Sequence, residues 1–397
     1  MLENLKEEVK TLGNENWRNM LLYVAELHEK SIRPVEFPFP FPWEEIGPGY
    51  CYGPAFGHWD IIHQILDSIP SEPLHAEQQL LNNLAAQQPD GFLPGSIWMG
   101  RERARWGEEQ GHPPVWPVAV QDYCDIHGKI DLIEKCYDCL IKQIDWFENN
   151  RSALGSGFYY TDILNNKWES GVDDGIRFDR ISTGAYACID ATCHVYQLFR
   201  YAEKWSKTLS KNESKLSDKT NKLQEFIQNK LYDDETGFFY DIWSVNNPDN
   251  RHSAFEGMWP VVVGAATNKQ ANRVIDEYLL NPARFFTAHP ISTVGVDDPL
   301  FELRLWRGGT WNSMTYWAAR GCVRYNRKDA AKILLERALN ATAKQFVETG
   351  TIWEFYNPLL GKQEDIKRKP YTQYNIPCRD YLGHNPLIAM ARMYEDL

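Results

Sequence analysis

Residues 168–177 read WESGVDDGIR, and this stretch decides how the rest of the chain is interpreted. It places three acids among small residues, one aromatic and one arginine. The acids do not recur with helical period, and a glycine weakens the interior of a helix or strand. An acidic surface turn is the plain alternative, since Asp and Gly favour turns. Because Trp168 is a costly residue on a solvated loop and Arg177 can fix an acid, the stretch predicts a tight loop that presents a carboxylate.

A second acid is presented in a similar way in residues 351–358, which read TIWEFYNP. Glu354 stands among Trp, Phe and Tyr, and Asn-Pro followed by Gly361 predicts a loop. An apolar wall disfavours the charged form of a carboxylate and can tune its proton affinity. The alternative is an amphipathic strand with one solvated Glu. Two acids in aromatic-rich loops suit a general acid and a general base on opposite sides of a sugar.

Four stretches together resemble glycoside hydrolase family 63 and its bacterial relatives. They are Trp-Glu-Ser-Gly-x-Asp-Asp-x-x-Arg at 168–177, an aromatic-flanked Glu before Asn-Pro and Gly at 353–361, Trp-Arg-Gly-x-x-Trp at 306–311, and Trp-Asp at 59–60. They come in the family's order and span most of the chain. The group includes processing α-glucosidases, mannosylglycerate and glucosylglycerate hydrolases and, more distantly, trehalases.

Helical periodicity predicts about a dozen helices, with long decorated loops at alternate junctions and no strong parallel-strand run. The predicted helices are 16–31, 58–69, 74–88, 118–126, 131–147, 182–205, 215–231, 254–264, 269–279, 310–325, 328–347 and 381–395. Short hairpins are predicted at 155–160 and 232–240. The pattern fits a barrel of six helix pairs, and the resemblance implies the same all-α (α/α)6 barrel. No domain boundary is visible, so we expect residues 1–397 to form one catalytic domain.

The resemblance also assigns roles to individual residues. It makes Asp173, two places after Gly171, the general acid, and Glu354 the general base; the residues alone leave the choice between Asp173 and Asp174 open. A working acid needs its proton, so we expect burial, Asp174 or Glu169 to raise its pKa. Relatives often carry Gln where this chain has His112. The predicted substrate-binding residues are Trp59, Asp60, His112, Trp116, Trp168, Gly171, Arg177, Trp306, Arg307, Gly308, Trp311, Tyr316 and Trp353.

Composition narrows the choice of partners. The chain of 397 residues carries a net charge of −12, which argues against nucleic acid and anionic membranes. Aromatic residues make up 13%, with 15 Trp and 20 Tyr, and sugar sites use such rings as platforms. The charged N-terminus lacks the apolar run of a signal peptide and no stretch reaches the length of a membrane span, so we expect a cytoplasmic protein. The sequence leaves the oligomeric state open.

Other chemistries find less support. The eight cysteines have no framework spacing, and Cys136-x-x-Cys139 lies in a helical pattern, so buried, reduced thiols are expected. His58 and His63 are off one helical face, so no metal is predicted, and no glycine loop fits a nucleotide phosphate, so no cofactor is predicted. Two other functions remain as alternatives: a sugar epimerase on a similar toroid, which would need His bases, and a carbohydrate-binding barrel that has lost catalysis.

The sequence therefore predicts an inverting glycoside hydrolase that acts on a small α-glucoside or α-mannoside. Loops 37–43, 91–117 and 285–299 are rich in Phe, Trp or Pro, and proline makes a loop rigid without a helix. We expect them to close the barrel mouth into a pocket that admits one sugar end-on. Exo-action on a disaccharide, short oligosaccharide or glycosyl-conjugate follows from that shape. The sugar, the linkage and the aglycone remain open.

Overall fold

The structure, a computed structural model, describes residues 2–99, 105–106, 110–165, 168–179, 181–211 and 214–397, with backbone only at 105–106, 165 and 214. Helices dominate this part of the chain. In order, α1 to α15 are Glu3–Val9, Glu15–Ser31, Asp60–Ser68, Pro73–Ala85, Trp116–His127, Asp131–Asn150, Asp162–Asn165, Ile189–Thr208, Ser214–Lys230, Ile242–Val245, Trp259–Val262, Asn268–Val274, Asn312–Arg324, Lys328–Thr349 and Leu387–Glu395.

Six helices form an inner ring: α3, α5, α8, α11, α13 and α15. Helix α3 packs against α5, α8 against α11, and α11 against α13, while α15 returns to α3. The outer helices α2, α4, α6, α9, α12 and α14 alternate with them along the chain, and α14 packs against α2. Because helices from both ends of the sequence meet in this way, the ring closes. The predicted (α/α)6 barrel is confirmed.

The two rings differ in which residues are buried. All nine residues of α3 are buried, as an inner helix with neighbours on every side requires. Outer helix α14 buries only one stripe, which includes Ala331, Leu335 and Ala338. Such three- and four-residue spacing is what an amphipathic helix on a barrel surface shows. No helix in the described residues is both long and apolar enough to cross a membrane.

Seven short strands decorate the loops. Strands β1 to β7 are Ile32–Arg33, Trp43–Glu44, Ala55–Gly57, Ser96–Trp98, Arg105–Trp106, Tyr232–Asp233 and Phe238–Phe239. They pair antiparallel as β1-β2, β3-β4-β5 and β6-β7, with Phe56 opposite Ile97. The hairpin predicted at 232–240 is present as β6-β7. At 155–160 the structure has only an isolated bridge between Ser152 and Phe158.

Three helices begin at least five residues later than the periodicity predicts. Helix α8 begins at Ile189 rather than 182, α11 at Trp259 rather than 254, and α15 at Leu387 rather than 381. Pro386 directly precedes α15, and a residue before a proline is disfavoured in helical conformation. Residues 381–384 therefore remain non-helical, and they are free to line the cavity described next.

Candidate active site

A cavity of about 320 Å³ opens at the N-terminal ends of three inner helices. Asp60 begins α3, Trp311 directly precedes α13, and His384 lies just before α15. Loops at this end of the barrel supply the remaining wall. The cavity is lined by Ile46, Tyr50, Tyr52, Trp59, Asp60, Ser96, Trp98, His112, Trp168, Gly171, Asp173, Leu305, Trp306, Trp311, Glu354, Arg368, Lys369, Tyr381 and His384.

Indole rings form much of this wall. Trp306 stacks on Trp311 with ring centroids 3.9 Å apart and planes 6° apart. Trp59 lies 6.2 Å from Trp306, and Trp98 meets Trp168 edge-on at 5.9 Å. Binding pockets for small molecules combine such flat apolar surfaces with a few polar groups that fix orientation. The polar groups here include three carboxylates, those of Asp60, Asp173 and Glu354.

The loop at 168–177 is built from two successive tight turns. Gly171 N–H donates to the carbonyl of Trp168 at 3.0 Å, and Gly175 N–H to that of Val172 at 3.2 Å. Gly171 has φ +73°, and a Cβ there would stand 3.2 Å from the ring of Trp59. Glycine is the residue that adopts this backbone conformation without strain. The two turns project the side chain of Asp173 into the cavity.

Glu169 anchors this loop from behind. Its carboxylate is 1% exposed and accepts hydrogen bonds from Arg151 Nε and Nη2 and from the backbone N–H of Thr161 at 2.7 Å. The neighbouring Ser170 donates both its N–H and its hydroxyl to Asp162. Buried charges require such partners. Glu169 therefore fixes the loop and does not reach the cavity.

Arg177 anchors the far end of the loop outside the cavity. Its guanidinium donates to Asp190 at 2.7 and 3.0 Å and to Asp241 at 3.2 Å, and lies 3.4 Å from Glu256. Burial raises the pKa of Asp241 to about 6 and that of Glu256 to about 7. Cys188 joins Asp190 and Asp241 in a group compact enough for a metal ion. Because Arg177 already neutralises both acids, we assign the group a structural role.

The two central acids of the loop have different partners. Asp173 lines the cavity, is about one-third exposed, and contacts Lys369 Nζ through Oδ2 at 3.1 Å. Asp174 accepts from Arg304, and its other oxygen lies 3.5 Å from Arg307 Nη2. Asp174 and Glu169 are thus each neutralised by arginine, so neither supplies the free negative charge that the sequence prediction invoked for Asp173.

Glu354 also lines the cavity and is 3% exposed. Arg368 grips its carboxylate with two bonds, Nε to Oε2 at 2.7 Å and Nη2 to Oε1 at 3.0 Å. The backbone N–H of Cys378 adds a third bond to Oε2 at 3.1 Å. Such bidentate pairs fix orientation as well as charge. These three bonds fix the carboxylate of Glu354 in the cavity wall.

Asp60 is a third acid in the cavity wall. Burial raises its pKa to about 7, the charges of Glu354 and Asp173 add to this, and the hydroxyl of Tyr381, which donates to Oδ1 at 2.8 Å, opposes it. A Cβ on Gly57 would stand 2.1 Å from Oδ2, so the site has no room for a side chain there. Asp60 is therefore held rigidly and changes charge near neutral pH.

Two histidines near Asp60 are poor bases. Trp59 donates its indole N–H to His384 Nε2 at 3.1 Å, so the ring proton resides on Nδ1, which donates to Ser313 Oγ at 2.7 Å. Burial lowers the pKa of His384 well below its usual range. Burial likewise lowers the pKa of His112 to about 3. Both rings are neutral walls of the cavity.

Comparison with known proteins gives the family. The family model described as mannosylglycerate hydrolase MGH1-like glycoside hydrolase domain matches residues 54–375, which is most of the chain. The chain belongs to this family. It is a glycoside hydrolase, related to family 63 as the four sequence stretches predict.

Solved structures share the fold across nearly the whole chain. An uncharacterized conserved protein from Thermus thermophilus has a TM-score of 0.72 at 17% identity, covering 94% of this chain and 99% of that one. The family 63 mannosylglycerate hydrolase of the same organism, in complex with Tris, gives 0.71 at 15% identity and covers 94% and 98%. Neutral trehalase Nth1 from Saccharomyces cerevisiae gives 0.67 at 15% identity, covering 94% and 79%.

A curated relative matches over a shorter stretch. The cytosolic neutral trehalase of Kluyveromyces lactis is 25% identical over 150 residues. The match covers 36% of this chain and 19% of that trehalase. It supports the family relationship and leaves the substrate to be argued from the cavity.

Nine of the fifteen site residues predicted for this hydrolase line the cavity, and six do not. The nine are Asp173, Glu354, Trp59, Asp60, His112, Trp168, Gly171, Trp306 and Trp311. Outside it, Tyr316 accepts from Arg320, Trp116 is fully buried against Gln143, and Trp353 donates to Thr349. Arg177 and Arg307 hold acids, and Gly308 lies where a Cβ would stand 2.3 Å from the carbonyl of Glu302.

The sequence interpretation missed several lining residues, above all Arg368 and Lys369. Their segment, KRKPYTQY at 367–374, follows no motif and is typical of a solvated basic turn. Tyr50, Tyr52 and Tyr381 were missed because they too belong to no motif. Of the three loops expected to close the mouth, only 91–117 contributes, through Ser96, Trp98 and His112. Phe37 instead borders a separate surface cavity.

Proposed function

We propose that this glycoside hydrolase cleaves a small α-glucoside or α-mannoside with inversion, using Asp173 as the acid and Glu354 as the base. The observation that carries the proposal is that two acids far apart in sequence line one aromatic-walled cavity. A paired acid and base is what inverting glycosidases need. We also propose that residues 1–397 form one catalytic domain, because both chain ends contribute helices to the ring.

Each acid has surroundings that suit one half of the reaction. The guanidinium of Arg368 and the amide of Cys378 orient the carboxylate of Glu354 in the cavity wall, where it can draw a proton from water. Asp173 must instead carry a proton to the departing oxygen. It lies at the more open side, about one-third exposed, where a leaving group can enter and depart.

A second cavity offers room for the leaving group. It has about 470 Å³, adjoins the first through Trp168, Asp173 and Lys369, and is otherwise lined by Asp174, Arg304, Pro370, Tyr371 and Thr372. Because the acid that protonates the leaving oxygen stands between the two cavities, we infer that the sugar occupies the inner one and the aglycone the outer one. An inner cavity of about 320 Å³ suits a single terminal sugar and hence exo-action.

The outer cavity favours an aglycone with a negative charge. Lys369 and Arg304 both border it, and Lys369 is shared with the inner cavity. Lys369 can bind either Asp173 or a carboxylate of the substrate, so it exchanges Asp173 for the substrate when the substrate binds. A glycosyl-glycerate, the substrate named for the relative from Thermus thermophilus, has such a carboxylate.

The deciding experiment is a substrate screen with released sugar as the readout. It compares α-mannosyl- and α-glucosyl-glycerate with the uncharged glycerol conjugates and with trehalose. Asp173→Asn and Glu354→Gln are expected to lower turnover by at least about a hundredfold, the scale of a lost general acid or base. Exposed Asp234→Asn and Glu364→Gln are the matched controls. No hydrolysis of any α-glycoside by the native chain would refute the proposal.

The epimerase alternative finds no histidine suited to act as a base in the described residues of the cavity. His384 uses both ring nitrogens, on Trp59 and Ser313, and burial holds the pKa of His112 at about 3. The second alternative is a barrel that only binds sugar, which does not require Glu354 to be oriented by a bidentate arginine. The same screen separates this second alternative, because binding without release of sugar would support it.

A further inference from the structure

Two cysteines meet beside the proposed base. Cys51 lies between Tyr50 and Tyr52, which both line the inner cavity. Cys378 is buried, and its backbone N–H is the amide that donates to Glu354 Oε2 at 3.1 Å. Cys51 is therefore next in sequence to two cavity residues, and Cys378 is one hydrogen bond from the carboxylate of Glu354. We refer to them as the Cys51–Cys378 pair.

The two side chains are in direct contact. Cys51 N–H donates to Cys378 Sγ at 3.4 Å, and the side chain of Cys51 packs against the small apolar cluster that contains Cys378. Both are reduced. Their segments pack backbone to backbone: a Cβ on Gly49 would stand 1.8 Å from the carbonyl of Arg379. The contact between Cys51 and Cys378 is therefore fixed by the backbones of the two segments.

The two cysteines of the pair differ in their expected reactivity. The hydrogen bond from Cys378 lowers the pKa of Cys51, burial opposes the shift, and the charge of Arg368 assists it. The same hydrogen bond, together with burial, raises the pKa of Cys378. Cys51 is also the more exposed member. Oxidant-sensitive cysteines are accessible, have lowered pKa values and stand beside a resolving thiol.

We propose that the Cys51–Cys378 pair is an oxidation site, at which a peroxide forms a disulfide that slows hydrolysis. The thiolate of Cys51 attacks one peroxide oxygen, the O–O bond breaks, and a sulfenic acid and hydroxide form. The thiol of Cys378 then displaces the hydroxyl from sulfur and gives the disulfide and water. In total, two thiols and one hydrogen peroxide become one disulfide and two waters, and dithiothreitol reverses the change.

A disulfide would displace groups on both sides of the sugar. The sulfur atoms must approach to about 2.0 Å, so both segments have to shift. On one side the shift moves the amide of Cys378 that holds Glu354. On the other it moves Tyr52, whose hydroxyl accepts from Arg368 Nη1 at 3.3 Å. Displacing a catalytic group by about an ångström can cost a hundredfold in rate.

The test treats the reduced full-length chain with hydrogen peroxide and follows two readouts. Peptide mapping without reductant is expected to find residues 51 and 378 linked, and kcat on the best glycoside is expected to fall by about tenfold or more. Dithiothreitol should restore both. Cys51→Ser and Cys378→Ser should each abolish the link and the peroxide-dependent loss, whereas Cys139→Ser, a half-buried cysteine of α6, should preserve both.

Three results would overturn the proposal: oxidation of Cys51 without a link, a link without loss of activity, or equal peroxide sensitivity in the Cys51→Ser variant. The activity readout rests on the proposed hydrolysis, but the mapping does not. If no glycoside is hydrolysed, loss of substrate binding on oxidation, measured by calorimetry with the product sugar, takes its place. A failure of the proposed function is then distinguishable from a failure of the thiol pair.

Discussion

Arg368 holds Glu354 through both carboxylate oxygens, at 2.7 and 3.0 Å, in a pair that is almost fully buried. The next residue, Lys369, contacts Asp173. Two consecutive residues thus reach both proposed catalytic acids from one side of the cavity. The dipeptide fixes the positions of both acids, although it contributes to no motif that the sequence displays.

Replacing Arg368 tests the orientation of the base. Arg368→Lys keeps a positive charge but cannot donate two parallel bonds, so Glu354 should lose its fixed angle. We expect kcat to fall by about tenfold or more, with a smaller change in KM, because misalignment affects the chemical step. Steady-state kinetics measures this, with Arg379→Lys as the control on the same segment. A native kcat in the Arg368→Lys variant would exclude this role for the guanidinium.

Lys369 should determine the preference for a charged aglycone. Lys369→Met removes the cation that Asp173 and the aglycone share. We expect the ratio of kcat/KM for a glycosyl-glycerate over its glycerol conjugate to fall by about tenfold, the scale of one charged hydrogen bond. Lys367→Met, an exposed neighbour, should leave the ratio unchanged. If Lys369→Met lowered kcat/KM for both substrates by the same factor, the residue would act on Asp173 and not on the aglycone.

Asp60 should govern the acidic limb of the pH profile. Its pKa is raised to about 7 by burial, and a charged carboxylate is the stronger acceptor for the sugar hydroxyls that we propose it binds. We therefore expect kcat/KM to increase as pH rises through about 7. Removing the Tyr381 hydroxyl, which lowers this pKa, should move the limb to higher pH in Tyr381→Phe. A limb that stays in place in both Tyr381→Phe and Asp60→Asn would exclude Asp60 as its source.

His28 should stabilise the barrel in a pH-dependent way. It is fully buried between Glu44 Oε1 at 2.6 Å and Asp67 Oδ2 at 3.2 Å. Burial lowers its pKa, but the two acids outweigh burial and raise it to about 10 from 6.5. Because the folded pKa is the higher one, the stabilisation is complete below pH 6.5 and is lost as pH rises through about 10.

His28→Gln should accordingly lower the free energy of unfolding by about 3–5 kcal/mol at pH 6, the cost of breaking a buried ion pair. The deficit relative to the native chain should shrink as pH approaches 10. Urea unfolding at several pH values measures it, and the comparison is His127→Gln, whose ring hydrogen bonds to the carbonyl of Ile69. A deficit that is constant with pH would mean that His28 is neutral in the folded protein.

Sequence patterns predicted the barrel and the two acid-bearing loops well, because both depend on local signals. Helical periodicity is set by which face of each helix is buried, and α14 shows this directly. The loop at 168–177 contains its own turn residues. Its charged neighbours were harder to interpret, since Glu169 and Arg177 find partners at Arg151 and Asp190, which only the folded chain brings close.

Trp353 shows why a neighbour of a site residue can lie outside the site. Its backbone is extended next to Glu354, with a bridge to Arg379, and successive side chains of extended backbone point to opposite sides. Glu354 faces the cavity, so Trp353 faces Thr349 and the guanidinium of Arg379. Arg368 was missed because its contact with Glu354 forms only in the folded chain and leaves no spacing pattern in the sequence.

The central claim is that Asp173 and Glu354 act as the acid and the base of a single displacement by water. The most direct measurement is proton NMR of the sugar first released from an α-linked substrate with a non-sugar aglycone, recorded before that sugar mutarotates. A single displacement predicts the β-anomer as the initial product, absent in Asp173→Asn and Glu354→Gln over the same time. Initial release of the α-anomer would require a double displacement through a covalent intermediate and would contradict the account.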